Sequence, residues 1–351
     1  RLMATIGTVY KKMGLYDDAL PLLERSTAIH RAKLGDADPA TLRSKLELAE
    51  LLFFQGRLAE AEAMLRRTHE QSRVRLGEDH PQTIAAQADL AVVVHFAGRL
   101  DEAERLYLIA LEARRRVLGE DHAETLETTN NLAAMFAAQG ELSAAEPYLR
   151  AALEGRERAL GPEHPETIDS MINLGTVLQA LGRYDEAEVH CRRAVEIGRR
   201  VRADHPKTLV SINNLAKLLE LRGDHAQAER YYHEALAALE RSLGRGHADT
   251  LTAMGNLGDL YTSMRRYDEA EQLLSSAVRE VRRSLGDSHV VTGYTLTKYG
   301  RLLGATGRQA EAERILTDAR SVLTRAVGPD HPRTVKAEEL LAEVERARLA
   351  E

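Results

Sequence analysis

Seven histidines recur along this chain at a nearly constant step: His80, His122, His164, His205, His247, His289 and His331. Histidine is a common ligand of transition metals, so a periodic set invites a metal reading. Spacing argues against it. Ligands of one zinc ion converge to about 2 Å from the metal, whereas histidines on successive rungs of a helical stack lie about 10 Å apart. They read as turn residues that set the start of a helix, and the threonine three residues later is expected to bond backbone in the first turn. The lone thiol, Cys191, reads as a small buried hydrophobe, because a reactive thiol needs exposure and an electropositive setting. His30, His69, His95, His190, His225 and His233 are scattered and form no triad with a serine. The glycines are single and periodic, so no phosphate-cradling loop is present. The expectation is no catalytic constellation, no metal and no cofactor: a chain that is not an enzyme.

The elements that would position these residues repeat as well. Gly14, Gly56, Gly98, Gly140 and Gly182 stand 42 residues apart; Gly223 follows after 41, then Arg265 and Gly307 after 42 each. A fixed period of this size marks a solenoid, in which each unit buries its apolar face against its neighbours. Residues 119–160 show how one unit is built. Leu126, Leu132, Met135 and Phe136 recur at helical spacing and define helix A. Gly140 ends it, as a residue without Cβ can adopt the left-handed conformation cheaply. Ser143 is the expected cap of helix B, which carries Leu149, Ala152, Leu153 and Leu160. Gly161 ends helix B, and Pro165 falls in the first turn of the next helix A, where a missing N–H costs nothing. An acidic pair opens helix B in Gly-Arg-Leu-Asp-Glu-Ala-Glu (98–104) and Gly-Arg-Tyr-Asp-Glu-Ala-Glu (182–188), complementing the helix dipole. The alanine of this motif (Ala103, Ala187) is expected where helix B crosses helix A.

The helix–turn–helix unit, with Leu-Ala or Leu-Gly in helix A and Gly, Tyr and Ala around the turn, resembles the tetratricopeptide repeat, whose usual period is about 34 residues. The 42-residue form, with Leu-Gly-x-x-His-Pro-x-Thr at 76–83 and 160–167 and Asn-Leu-Ala at 131–133 and 214–216, is similar to the kinesin-light-chain-like subclass. The resemblance covers essentially the whole chain and implies an all-α, right-handed superhelical solenoid of about eight antiparallel helix pairs. The repeats are expected near 1–35, 36–77, 78–119, 120–161, 162–202, 203–244, 245–286 and 287–328, with a capping helix at 332–350, all in one solenoid. There are departures. Asp38-Pro39 replaces His-Pro in the first repeat, residues 201–204 have lost Leu-Gly and one residue, and Arg265 replaces the turn glycine.

In this family helix A lines the concave face, which implies that positions i, i+4, i+7 and i+11 of each helix A face the groove. The second of these positions reads Thr5, Glu47, Asp89, Asn131, Asn173, Asn214, Asn256 and Lys298. Four consecutive asparagines offer donors and acceptors that suit the main chain of an extended peptide, and family members use asparagines there to hold peptide backbone or a terminal carboxylate. The alternative is that each asparagine bonds a neighbouring helix and fixes packing. The last position holds Phe54 and Phe96, which with Phe53 and His95 form either an anchor for a partner side chain or filling against the preceding helix B. Acidic residues, Asp89 among them, crowd the amino-terminal half, and Lys217, Lys298, Arg301 and Lys336 follow further on. A peptide with a basic segment and then an acidic one would complement that order.

Net charge is −6, from 48 basic and 54 acidic residues, without the basic excess of a nucleic-acid binder. No run approaches the roughly 18 apolar residues of a membrane span. One cysteine excludes an internal disulfide framework and fits a reducing, cytoplasmic compartment. The chain opens at Arg1 inside a helical pattern and is expected to be a segment of a longer protein. The function expected is a scaffold or sensor that binds a protein or extended peptide in its groove, as the regulatory arm of a larger signalling protein. The competing classes are a structural oligomerisation module, which leaves the oligomeric state open, and a small-molecule sensor or enzyme.

Overall fold

The computed structural model describes residues 2–350, and among them there are seventeen α-helices and no strand. The A helices are α1 (Leu2–Lys12), α3 (Pro39–Phe54), α5 (Pro81–Phe96), α7 (Ala123–Ala138), α9 (Pro165–Ala180), α11 (Pro206–Leu221), α13 (Ala248–Ser263) and α15 (Val290–Ala305). The B helices are α2 (Tyr16–Leu34), α4 (Leu58–Leu76), α6 (Leu100–Leu118), α8 (Leu142–Leu160), α10 (Tyr184–Arg202), α12 (His225–Leu243), α14 (Tyr267–Leu285) and α16 (Gln309–Val327). A final helix, α17 (Pro332–Ala350), follows. The helices group into two compact units. One comprises the residues up to Ala138 with Pro147–Ala159; the other comprises Gln139–Glu146 with the residues from Leu160 onward.

The periodic histidines are helix caps. The Nδ1 of His80, His164, His205, His247 and His289 accepts the backbone N–H two residues on, at 3.2–3.3 Å, and so satisfies one donor that the first turn leaves unpaired. At the start of α3 Asp38 does the same with its carboxylate, accepting from Ala40 at 2.9 Å, which explains why His and Asp exchange at this position. The following threonine does not bond within its own first turn. Thr83, Thr167, Thr250, Thr292 and Thr334 donate to the carbonyl of the glycine six residues earlier, at 2.7–2.9 Å. Carbonyls at the end of helix B lack intrahelical partners, so this bond ties the end of one repeat to the start of the next. Ser143 lies inside α8 rather than capping it: the helix opens at Leu142, where Ala144 and Ala145 donate to the Glu141 carbonyl.

Helix A ends on a residue of positive φ, for which Gly223 at 84° stands as the example. Arg265 occupies the same place at φ 60°, the single non-glycine residue of positive φ among those described. The closing bonds persist there: Arg265 N–H to Thr262 O at 3.1 Å and Arg266 N–H to Tyr261 O at 2.9 Å. Ala103, Ala187, Ala228, Ala270 and Ala312 are completely buried. Opposite Gly175 of α9 sits Cys191, whose Sγ would lie 2.7 Å from any Cβ added to that glycine.

An ion-pair ladder runs along the B helices. The arginine after the positive-φ turn residue pairs with the last glutamate of the preceding motif: Arg99 with Glu62 at 2.5 Å, Arg183 with Glu146 at 2.7 Å, Arg266 with Glu229 at 2.8 Å and Arg308 with Glu271 at 3.1 Å. Each also holds the glutamate three residues on in its own helix. The Gly-Arg-x-Asp-Glu-Ala-Glu motif therefore carries register between repeats as well as the helix start.

Candidate binding surfaces

In the second unit, α9, α11, α13, α15 and α17 line a cavity of about 480 Å³. Asn256 of α13 is among its lining residues. Its Nδ2 donates to Asn213 Oδ1 at 3.1 Å, and its Oδ1 accepts from Lys298 Nζ. This chain of bonds runs from α15 through α13 to α11. Burial pushes the Lys298 ammonium down to about 8, against the pull of Asp259. Asp259 is occupied by Arg301, whose Nη2 lies 2.6 Å from its Oδ1 and donates to its backbone carbonyl at 2.7 Å. Lys217 pairs with Glu220 at 3.0 Å, and Glu220 also accepts from the Tyr232 hydroxyl at 2.9 Å. Arg333, from α17, stacks on the Tyr294 ring at 3.7 Å.

Of the sequence-selected residues, the cavity brings together Asn214, Asn256, Lys217, Lys298 and Arg301. Asn214 has no hydrogen-bond partner among the described residues, whereas Asn256 is engaged on both sides of its amide. Asn173, on α9, is half-buried and off the cavity wall, where α9 contributes Thr176 and Gln179. Lys336, in step with Tyr294 of α15, was one of the cations expected beyond the amino-terminal half, and it lines the cavity as well. Asn213 and Arg333 were not among the selected positions: Asn213 sits one residue before the chosen register, and Arg333 three residues before the first groove position of α17.

The first unit carries a different surface. Lys11 of α1 is buried and donates to Glu47 at 2.7 Å and Glu50 at 2.5 Å on α3. Its pKa is raised: burial opposes the charge, and the bonds to Glu47 and Glu50 outweigh that. Asp89, on α5, is lifted to about 7, first by burial and then by Glu50 and Glu127, with Arg114 and Lys11 pulling the other way. Asn131 lies half-buried on α7. Phe54 and Phe96 are 47 % and 63 % exposed, so they do not fill the core. They belong to a row of rings: Tyr16 stacks on Phe54 at 5.7 Å, and Phe53 meets Phe54 at 5.5 Å and Phe96 edge-on at 5.0 Å. His95 continues the row at 5.2 Å from Phe96.

Cys191 is buried and its thiol is pushed up to about 11 by that burial. Among the described residues no group of three or more His, Cys, Asp or Glu side chains could hold a metal ion, and no helix is long and apolar enough to cross a membrane.

The family model described as tetratricopeptide repeat matches the sequence in overlapping spans, residues 1–70, 42–108, 89–158, 125–188, 170–241, 211–279 and 249–325. No curated protein matches it. Among solved structures, a Podosopora anserina putative kinesin light chain with nearly identical TPR-like repeats is 26 % identical, with a TM-score of 0.53 over 59 % of this chain and 98 % of that one. BtubC (BKLC) from P. vanneervenii is 24 % identical, with a TM-score of 0.54 over 62 % of this chain and 90 % of that one. The apo form of RapI is 12 % identical, with a TM-score of 0.67 over 98 % and 96 % of the two chains. The last two likenesses are of fold.

Proposed function

The chain belongs to the tetratricopeptide repeat family, and we propose that it is a recognition module whose A helices bind an extended peptide or protein segment. The observation that carries this reading is the cavity of the second unit, where amide and cationic side chains from five helices line one space. An extended main chain presents donors and acceptors at regular steps, which the free amide of Asn214 can match on both counts. Asn256 contributes differently: its amide is spent on Asn213 and Lys298, so it sets the position of the ammonium. In the first unit the row of exposed rings at Phe54 and Phe96 offers an apolar anchor, and Asp89 with its acidic neighbours offers complementarity to a cationic side chain. Such a module serves as a scaffold or sensor arm of a signalling protein.

Selection of a displayed random-peptide library against the chain, followed by affinity measurement on the selected peptides, tests the reading. Asn214→Ala is expected to weaken binding about tenfold, the usual consequence of leaving a desolvated partner unpaired, with the melting temperature unchanged. Peptides that bind equally well to Asn214→Ala, or a library that yields none, would remove the cavity from the account. Light scattering on the same samples at several concentrations separates a peptide binder from a module that uses this face to self-associate.

A further inference from the structure

The cavity of the second unit holds more positive charge than its own carboxylates neutralise. Five cations reach it: Lys217 from α11, Lys298 and Arg301 from α15, and Arg333 and Lys336 from α17. Three have carboxylate partners. Lys217 pairs with Glu220 at 3.0 Å, Arg301 with Asp259 at 2.6 Å, and Lys336 with Glu339 at 3.0 Å. The remaining two do not. The Lys298 ammonium rests on the neutral carbonyl oxygen of Asn256, and the Arg333 guanidinium lies over the face of Tyr294. Neither is within ion-pair distance of a carboxylate among the described residues. The local excess is therefore two positive charges. A lysine removed from water with only a neutral acceptor is costly unless an anion joins it. The Nε of Arg301 is likewise buried without an acceptor.

We propose that this cavity binds a phosphate monoester, a reading that rests on the A-helix face being a binding surface. Charge and shape favour this group over a single carboxylate. A phosphate monoester carries about −1.5 to −2 charge at neutral pH and three strong acceptor oxygens. It matches both unpaired cations at once, whereas a carboxylate matches one. The guanidinium of Arg333 is suited to bidentate bonds with phosphate oxygens, and Lys298 acts as a point charge beneath it. Asn214 adds a neutral donor. At about 480 Å³ the space exceeds one phosphate, and Tyr294 and Leu340 give an apolar wall for the group that carries it. That carrier is either a phosphorylated side chain of a bound peptide or a small phosphorylated molecule.

Two probe sets on the full chain distinguish these sources. The first is a degenerate peptide library with a central phosphoserine, compared with the same library carrying serine or aspartate. The second is phenyl phosphate with inorganic phosphate as reference, followed by calorimetry. Retention of the phosphoserine library at least tenfold above both controls, lost in Arg333→Ala and in Lys298→Met, establishes the site with a peptide carrier. Saturable binding of phenyl phosphate without a library preference, again lost in both variants, establishes it with a small-molecule carrier. Arg333 is exposed on α17, so its replacement keeps the test valid should Lys298→Met fail to fold.

The pH dependence adds a check. The groups facing Lys298 are Lys217 and Glu220 on α11, Asp259 on α13 and Arg333 on α17. With its ammonium at about 8, Lys298 is mostly charged at pH 7.5 and gains only slightly on going to 5.5, while the phosphate loses its second charge near pH 6. Affinity for either phosphate probe should therefore fall severalfold over that range. Equal retention of the serine, aspartate and phosphoserine libraries, with no phenyl phosphate binding, overturns the proposal. Should random peptides still bind through Asn214 in that case, the recognition reading stands alone. Phenyl phosphate binding with no peptide ever selected leaves the anion site and removes the peptide reading.

Discussion

At the scale of single residues, most side chains that invited chemistry turn out to serve the repeat. The periodic histidine and the threonine after it are two halves of one joint: the ring caps helix A, and the hydroxyl takes up a carbonyl at the end of helix B. Asp38 performs the same cap with a different acceptor, so the position is chosen for its lone pair rather than for metal or proton chemistry. Arg265 shows the cost of departing from the repeat. An L-residue at φ 60° is strained where its neighbouring repeats use glycine, and its side chain is exposed. Arg265→Gly is expected to raise the unfolding free energy by about 1 kcal/mol, measured by chemical denaturation. An unchanged or lower midpoint would mean that Arg265 has a compensating partner. Asn256 illustrates what spacing leaves undetermined. Its register on helix A was legible, but its amide turns to Asn213 and Lys298, a choice made by the side chains beside it.

At the scale of helices, the A/B pair was legible almost to the residue, because its boundaries are written in residues with little conformational latitude. Proline opens α3, α5, α9 and α11, glycine follows most helices of both kinds, and alanine marks the crossing. Ala187 and Ala270 have no exposed surface, and the backbone of α9 comes close enough to α10 that Ala187 O lies 3.6 Å from a Cβ built on Gly175. Ala187→Leu should overpack this crossing and destabilise by about 1–3 kcal/mol. A denaturation midpoint equal to that of the parent would place the crossing elsewhere. What spacing did not reveal is the ladder of arginine to preceding glutamate on the B helices. The acidic residues of the motif are explained by the helix dipole alone, and the second partner lies one repeat away. Arg333 was hidden for a different reason: its counterparts in the preceding repeats, Val291, Asp249 and Lys207, share no chemistry that would mark the position.

At the scale of the whole molecule, two units of one architecture carry opposite electrostatics. The first gathers Glu47, Glu50, Asp89 and Glu127 around Lys11 and Arg114; the second leaves Lys298 and Arg333 in excess. The sign of the charge in each unit has a consequence for stability. Asp89 is raised to about 7 in the folded chain from its ordinary value of 3.8, so the folded state binds more protons than the unfolded one between those values. Stability contributed by this group is greatest below pH 4 and is lost as pH rises through about 7. Asp89→Asn should therefore stabilise the chain at pH 8 relative to pH 5. The full shift corresponds to about 4 kcal/mol, and solvent access to the carboxyl reduces the expected gain to about 1–3 kcal/mol. Parallel denaturation curves of parent and variant at the two pH values measure it; a gain independent of pH would contradict the assignment.

Peptide recognition by the face formed by the A helices of the second unit is accessible to photocross-linking. A benzophenone amino acid at Thr297, on the cavity wall, is compared with one at Arg230, exposed on helix α12. Each variant is irradiated with a selected peptide at saturating concentration. The account predicts a covalent adduct from position 297 and none from position 230. Adducts from position 230 alone, or from neither position while the peptide remains bound, would contradict it.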